Sequence, residues 1–212
     1  MKKTNKNEIV VSFLQKTFPD AKCALTFDSS FQCLVAVMLS AQTTDIAVNK
    51  CTPALFSDYP DAKSLSEADQ KDVENHIHSL GLYKNKASNL IAMSKALMER
   101  FSGEVPSTKE ELCSLPGVGN KTASVVLLEC FGVPGIAVDT HVGRIAKRLG
   151  YAKESDEPTV IQEKLEKTFT KQEQEHLHHQ LIWFGRTICH AKKPECERCG
   201  LQDICHFFKK CS

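Results

Sequence analysis

The sequence predicts an all-α protein. Apolar residues recur with helical spacing almost throughout, glycines and prolines cut the chain into helix-length pieces, and the one stretch with strand character is short and lies between two helices. The start, MKKTNKNEIVVSFLQK, is basic, but its apolar stretch is soon broken by Gln15 and Lys16, so it is a poor signal peptide. SFQCLVAVMLSA, residues 30–41, is apolar nearly all round and predicts a central buried helix. Over residues 83–101 one stripe runs through Tyr83, Ala87, Leu90, Ile91, Leu97, Met98 and Phe101, with Ser94 small enough to pack among them. Gly81, Gly103 and Gly150, with Pro106, Pro116, Pro134 and Pro158, mark boundaries. STKE, from Ser107 to Glu110, fits a capping box that opens a short helix. LPGVG then turns the chain, and a further helix starts near Asn120 with Val125, Val126 and Leu127 buried. VPGIAV, residues 133–138, is the best strand candidate. Roughly ten helices follow from this pattern, with no repeat of fixed period.

Composition narrows the function classes. Hydrophobic residues make up 42% and charged residues 25% of 212, as in ordinary globular proteins, and the net charge is +1. Any nucleic-acid surface must therefore be a local patch. No apolar run approaches a membrane span. Ten cysteines without a leader suggest reduced thiols in a cytosol rather than a disulfide scaffold. Six of them, Cys23, Cys33, Cys51, Cys113, Cys130 and Cys211, are scattered, and those within apolar helices are most simply core residues.

Three segments carry chemistry. In LPGVGNKTASVVL, Gly117 and Gly119 allow a tight turn with positive φ, which from the glycines alone is either a plain helix–helix corner or a turn whose amides after Pro116 bind a phosphate oxygen without reading bases. Lys121 then falls at the positive end of a helix dipole. It is either a solvated lysine that snorkels away or an amine held partly neutral and nucleophilic. In VDTHVGR, Asp139 precedes a helix with Arg144, Lys147 and Arg148. It is an N-cap, and beside an amine it could also be a general base or stabilise developing positive charge. The three basic residues are compatible with a solvated face. In CHAKKPECERCGLQDIC, Cys189, Cys196, Cys199 and Cys205 form C-x6-C-x2-C-x5-C, which the spacing leaves open between zinc and an iron–sulfur cluster. From Trp183 to Ser212, six basic residues stand against three acidic ones, a local basic bias. HLHH, from His176 to His179, belongs to a packed or solvated helix rather than a metal site.

LPGVGNKTA followed by VDTHVGR resembles the helix–hairpin–helix DNA glycosylase superfamily, in particular its endonuclease III family. The resemblance covers nearly the whole chain. It implies that Lys121 is the nucleophile and Asp139 the second catalytic residue. Adenine glycosylases of the superfamily usually lack this lysine, so its presence implies a bifunctional glycosylase with AP lyase activity. The cysteine spacing is similar to the loop that holds [4Fe–4S] in that family, which implies Cys189, Cys196, Cys199 and Cys205 as ligands. LSAQTTD resembles the loop whose glutamine fills the space of an extruded base, implying Gln42. LGLYKNKA resembles the loop whose leucine wedges into the duplex, implying Leu82. Backbone at Gly117, Val118 and Gly119, and the side chains of Lys192 and Lys193, would hold phosphates.

The resemblance further implies two helical domains, residues 23–133 with the hairpin and residues 1–22 plus 134–212 with the cluster loop at 189–205. The implied reaction removes oxidised pyrimidines from duplex DNA, forms a lysine Schiff base and cuts the strand by β-elimination. The implied partner is duplex DNA with a damaged base or an abasic site, met by a monomer in a bacterial-type cytosol, associated with the nucleoid and without membrane contact. A glycosylase for mismatched or other bases shares every motif. A non-catalytic DNA-binding module would need neither Lys121 nor Asp139, and a redox protein would have no reason for the hairpin, Gln42 or Leu82.

Overall fold

The structure, a computed structural model, describes residues 5–211, with the Cys211 side chain outside the described residues. Among them the regular elements are twelve α-helices and two 3-10 turns, with no strand. Three of the helices, of five or six residues each, are too short for a periodicity to register, which is why the pattern gives fewer. None is long and apolar enough to cross a membrane. The chain forms two compact units, Met1–Lys22 with Pro134–Ser212, and Cys23–Val133.

Helix α1 (Lys6–Thr17) opens the first unit, with Asn5 and Glu8 forming a capping box. The second unit is built on α2 (Ser30–Leu39), capped by the Ser29 side chain and buried at all but its first and third residues. It packs against α3 (Asp45–Asp58), α6 (Tyr83–Phe101) and α8 (Asn120–Phe131), so an apolar helix without a polar face lies at the centre. Two short helices, α4 (Ala62–Ser66) and α5 (Gln70–Ile77), cover α6. The predicted stripe of α6 is buried at Ala87, Leu90, Ile91, Ser94 and Leu97. Cys33 and Cys51 are core residues, as expected of small apolar thiols. Helix α7 (Lys109–Cys113) is capped one residue later than the sequence suggests. Thr108 accepts from the Glu111 amide and its hydroxyl donates to the Glu111 carboxylate, so Ser107 and Glu110 are not the pair.

The first unit continues through α9 (Thr140–Leu149), α10 (Pro158–Thr168), α11 (Lys171–Thr187) and α12 (His206–Cys211). Helix α11 carries α1 and α9. Gly185 makes the α9 approach possible, because a Cβ there would sit 2.8 Å from the Cβ of His141. Phe184 fills the core with Phe13 edge-on at 5.7 Å. His178, not His176 or His179, is the buried member of HLHH, and its ring meets that of His179 at 4.9 Å. The strand expectation at 133–138 fails. Ile136, Ala137 and Val138 are buried, but the Ile136 amide donates to the Glu166 carboxylate at 3.4 Å, and no strand lies beside them among the described residues. The segment is an extended buried connection into α9.

Candidate functional site

The hairpin between α7 and α8 is set by one glycine. Gly117 has φ 75°, and a Cβ there would lie 3.0 Å from both Asn89 Cβ and Met38 Cε. Gly119 has φ −94° and is the N-cap of α8, so only Gly117 needs the conformational freedom expected of both. The Val118 side chain is buried and its amide donates to Leu115 O at 3.2 Å, which takes it away from any ligand. The amides of Gly117 and Gly119 have no acceptor among the described residues. Cys113 Sγ donates to Asn120 Oδ1 at 3.6 Å and links the two helices of the hairpin. Lys121 is exposed in the first turn of α8, where it leaves the apolar side to Ala123, Val125 and Val126.

Asp139 caps α9. Its Oδ1 accepts from the amides of His141 and Val142, both at 2.8 Å, while the residue stays half-buried. The other carboxylate oxygen has no hydrogen-bond partner among the described residues. Capping and chemistry are thus compatible in one side chain.

Backbone conformation singles out the other candidates. Among the described residues, four that are not glycine have positive φ: Gln42 (54°), Leu82 (57°), Ser102 (53°) and Lys193 (49°). Left-handed conformations are sparsely populated by such residues and concentrate at functional positions. Gln42 follows α2, and Leu82 is the residue before α6, 60% exposed. Both line an open cavity with Asn85, Lys86, Asn89 and Gly117. Lys86 escaped the sequence reading. It is buried on the α6 stripe, its Nζ donates to Leu39 O at 2.9 Å and to Thr43 Oγ1 at 2.6 Å, and burial pushes its ammonium below the usual lysine value. Its position four residues before Leu90 could have placed it on that face.

In the cysteine loop Glu195 N donates to Ile188 O at 2.9 Å, and 3-10 turns over Cys196–Arg198 and Gln202–Ile204 present the last three thiols. All four cysteines are reduced and line one apolar pocket, with Leu149, Phe184 and Phe207 among its walls. Burial, then the neighbouring thiols, pushes Cys199 up to about 11. Four thiolates in such surroundings need a positively charged centre between them. No group of three or more His, Cys, Asp or Glu among the described residues is arranged to hold a single metal ion. The donor set, four thiols on one apolar pocket, fits an iron–sulfur cluster.

Arg144 and Arg148 are not a solvated face. Arg144 donates to Cys189 O through Nε (3.0 Å) and Nη2 (2.8 Å) and to Gly185 O at 2.9 Å. Arg148 donates to His190 O at 2.7 Å, Ala191 O at 3.0 Å and Cys189 Sγ at 3.2 Å. Their i, i+4 spacing places both on one side of α9, from which they hold the start of the loop. Lys192 and Lys193 are exposed immediately after these anchors.

Comparison with known proteins agrees with this arrangement. Residues 35–171 match the HhH-GPD superfamily of base excision DNA repair proteins, and residues 189–205 match the iron–sulfur binding domain of endonuclease III. The chain is 45% identical to endonuclease III of Synechocystis sp. over 205 residues, covering 96% of this chain and 93% of the relative. It is 40% identical to endonuclease III of Escherichia coli K12 over 210 residues, 99% of each. The structure of a trapped endonuclease III–DNA covalent intermediate superposes with a TM-score of 0.92 at 43% identity, covering 97% of this chain and 98% of that one. A thermostable thymine-DNA glycosylase shares the fold, with a TM-score of 0.89 at 22% identity over 97% and 98% of the two chains. By sequence over its whole length, by fold and by its cysteine loop, the chain belongs to the endonuclease III family of the HhH-GPD superfamily.

Proposed function

We propose that the chain is a bifunctional DNA glycosylase and AP lyase of base excision repair that works through Lys121, with Asp139 as the second catalytic residue. One observation carries this reading: the fold and sequence match an endonuclease III caught in covalent union with DNA, and such a bond needs a nucleophilic side chain. Lys121, exposed beside the Gly117 turn, is suited to supply it.

The substrate is duplex DNA with a damaged base, chiefly an oxidised pyrimidine, or an abasic site. The nucleotide must leave the stack before the sugar can be reached. The unprotonated Lys121 nitrogen forms a bond to C1′ while the base leaves with the electrons of its glycosidic bond and takes a proton. Opening of the sugar ring and loss of an amine proton give a Schiff base. Removal of a C2′ proton then expels the 3′ phosphate and cuts the strand on that side. The Asp139 carboxylate, fixed by two amides on one oxygen, offers the other to the positive charge that develops on the sugar.

Gln42 fills the gap in the opened duplex and Leu82 wedges into it. The Gly117 and Gly119 amides, with Lys192 and Lys193, hold phosphates. The cofactor is a [4Fe–4S] cluster, with Cys189, Cys196, Cys199 and Cys205 as its ligands. When bound, it ties residues 189–205 into a rigid loop. Each compact unit is one domain, and the enzyme works as a monomer at the nucleoid of a bacterial-type cytosol.

Borohydride trapping on abasic duplex tests the reading. The wild type should give a covalent adduct, and Lys121→Gln should lose the adduct, base excision and strand cutting together, because one amine does both steps. The fold should persist, since Lys121 is exposed. Undiminished trapping by the variant would refute this role.

A further inference from the structure

The reaction proposed at C1′ gives Lys86 no role, yet it occupies a buried position that an apolar side chain would fill at less cost. It is 8% exposed, and its ammonium meets only two neutral oxygens, with no carboxylate at ion-pair distance among the described residues. A buried ammonium without a counter-charge is unfavourable unless its donors are well used. Here they are used at the end of one helix. Leu39 is the last residue of α2, where the dipole is negative. The other late carbonyls are accounted for locally: Ala36 O and Met38 O accept from Ser40 N, and Val37 O accepts from Ser40 Oγ. Leu39 O is left to Lys86.

The second donor reaches further. Thr43 Oγ1 accepts from Lys86 and itself donates to Ala41 O at 3.3 Å. One ammonium therefore ties the residues on both sides of Gln42, which sits between them at φ 54°. A left-handed glutamine persists only where its surroundings hold it. Lys86, Gln42 and Leu82 also line the same cavity.

The geometry points to Lys86 as a positioning residue that clamps the 40–43 turn through Leu39 O and Thr43 Oγ1 and so holds Gln42 ready to fill an opened duplex. This rests on the reading of Gln42 as the gap-filling residue. The role matters only where a stack is opened. A single strand has no gap to fill, so loss of the clamp should divide the two substrates.

The test compares Lys86→Met, which removes the ammonium, and Thr43→Val, which keeps the side-chain shape and removes the relay. Each is measured with Gln42→Ala on a lesion duplex and by borohydride trapping on an abasic single strand. Lys86→Met should slow duplex excision on the order of tenfold, Thr43→Val by a smaller factor, and single-strand trapping should stay within about twofold. Gln42→Ala should show the same division, and adding Lys86→Met to it should cause no further loss. Equal losses on both substrates, or full additivity with Gln42→Ala, would make Lys86 a packing residue and overturn the proposal. If Lys86→Met does not fold, Thr43→Val decides: a duplex-only loss supports the clamp and a wild-type duplex rate overturns it. If Gln42→Ala spares the duplex while Lys86→Met does not, the gap-filling role of Gln42 fails and the clamp fails with it. If Gln42→Ala alone shows the division, only the clamp fails.

Discussion

Replacing either glycine of the hairpin by alanine should separate a backbone need from a motif. Gly117 has φ 75°, which costs an L residue about 1–2 kcal/mol. Its added Cβ would stand 3.0 Å from Met38 Cε and Asn89 Cβ. Met38 Cε is the end of a flexible side chain and can swing aside, whereas Asn89 Cβ moves only if α6 moves. Overpacking of this kind costs about 1–3 kcal/mol, so Gly117→Ala should destabilise by about 2–5 kcal/mol. For a chain of this size that lowers the midpoint of thermal unfolding by roughly 4–20 °C. Gly119 has φ −94°, and a Cβ there meets nothing within 4 Å, so Gly119→Ala should lose only about 0.5–1 kcal/mol, the preference of an N-cap for glycine over alanine. Circular dichroism melts of the two cluster-loaded variants give the answer. A neutral Gly117→Ala, or a Gly119→Ala loss as large, would refute the argument from conformation and space.

Asp139→Asn keeps the capping oxygen and removes the charge, so single-turnover excision should slow strongly with stability held, while Asp139→Ala should also cost about 1 kcal/mol on unfolding. Unchanged single-turnover kinetics in Asp139→Asn would leave only the cap. Lys192→Ala with Lys193→Ala should weaken damaged and undamaged duplex alike and reduce the salt slope of log affinity by up to about 2, with iron content constant. An unchanged slope would move the phosphate grip to the Gly117 and Gly119 amides. The purified protein should be brown, and Cys199→Ala should lose iron and lower solubility or folding yield. One zinc and no iron in anaerobically purified wild type would overturn the cluster assignment.

Much of the molecule is legible in its sequence because the signals are local. Helical periodicity, an apolar block at residues 30–41 and a cysteine spacing need no distant partner to be read, and they indicate an all-α chain with a metal-type loop. Motif likeness points to Lys121, Asp139, Gln42 and Leu82 for the same reason. What escaped depends on residues far apart in the chain. VPGIAV has strand composition, but a strand needs a neighbouring strand, and the fold supplies Glu166 instead. Arg144 and Arg148 look like a solvated face until the loop at 189–191 returns its carbonyls to them. Gly117 and Gly119 look alike in a motif, and only the positions of Asn89 and Met38 tell them apart. Lys86 is one more charge on a helix in the sequence. Tertiary structure brings the end of α2 to it, and a buried ammonium then has to bind whatever oxygens the fold provides.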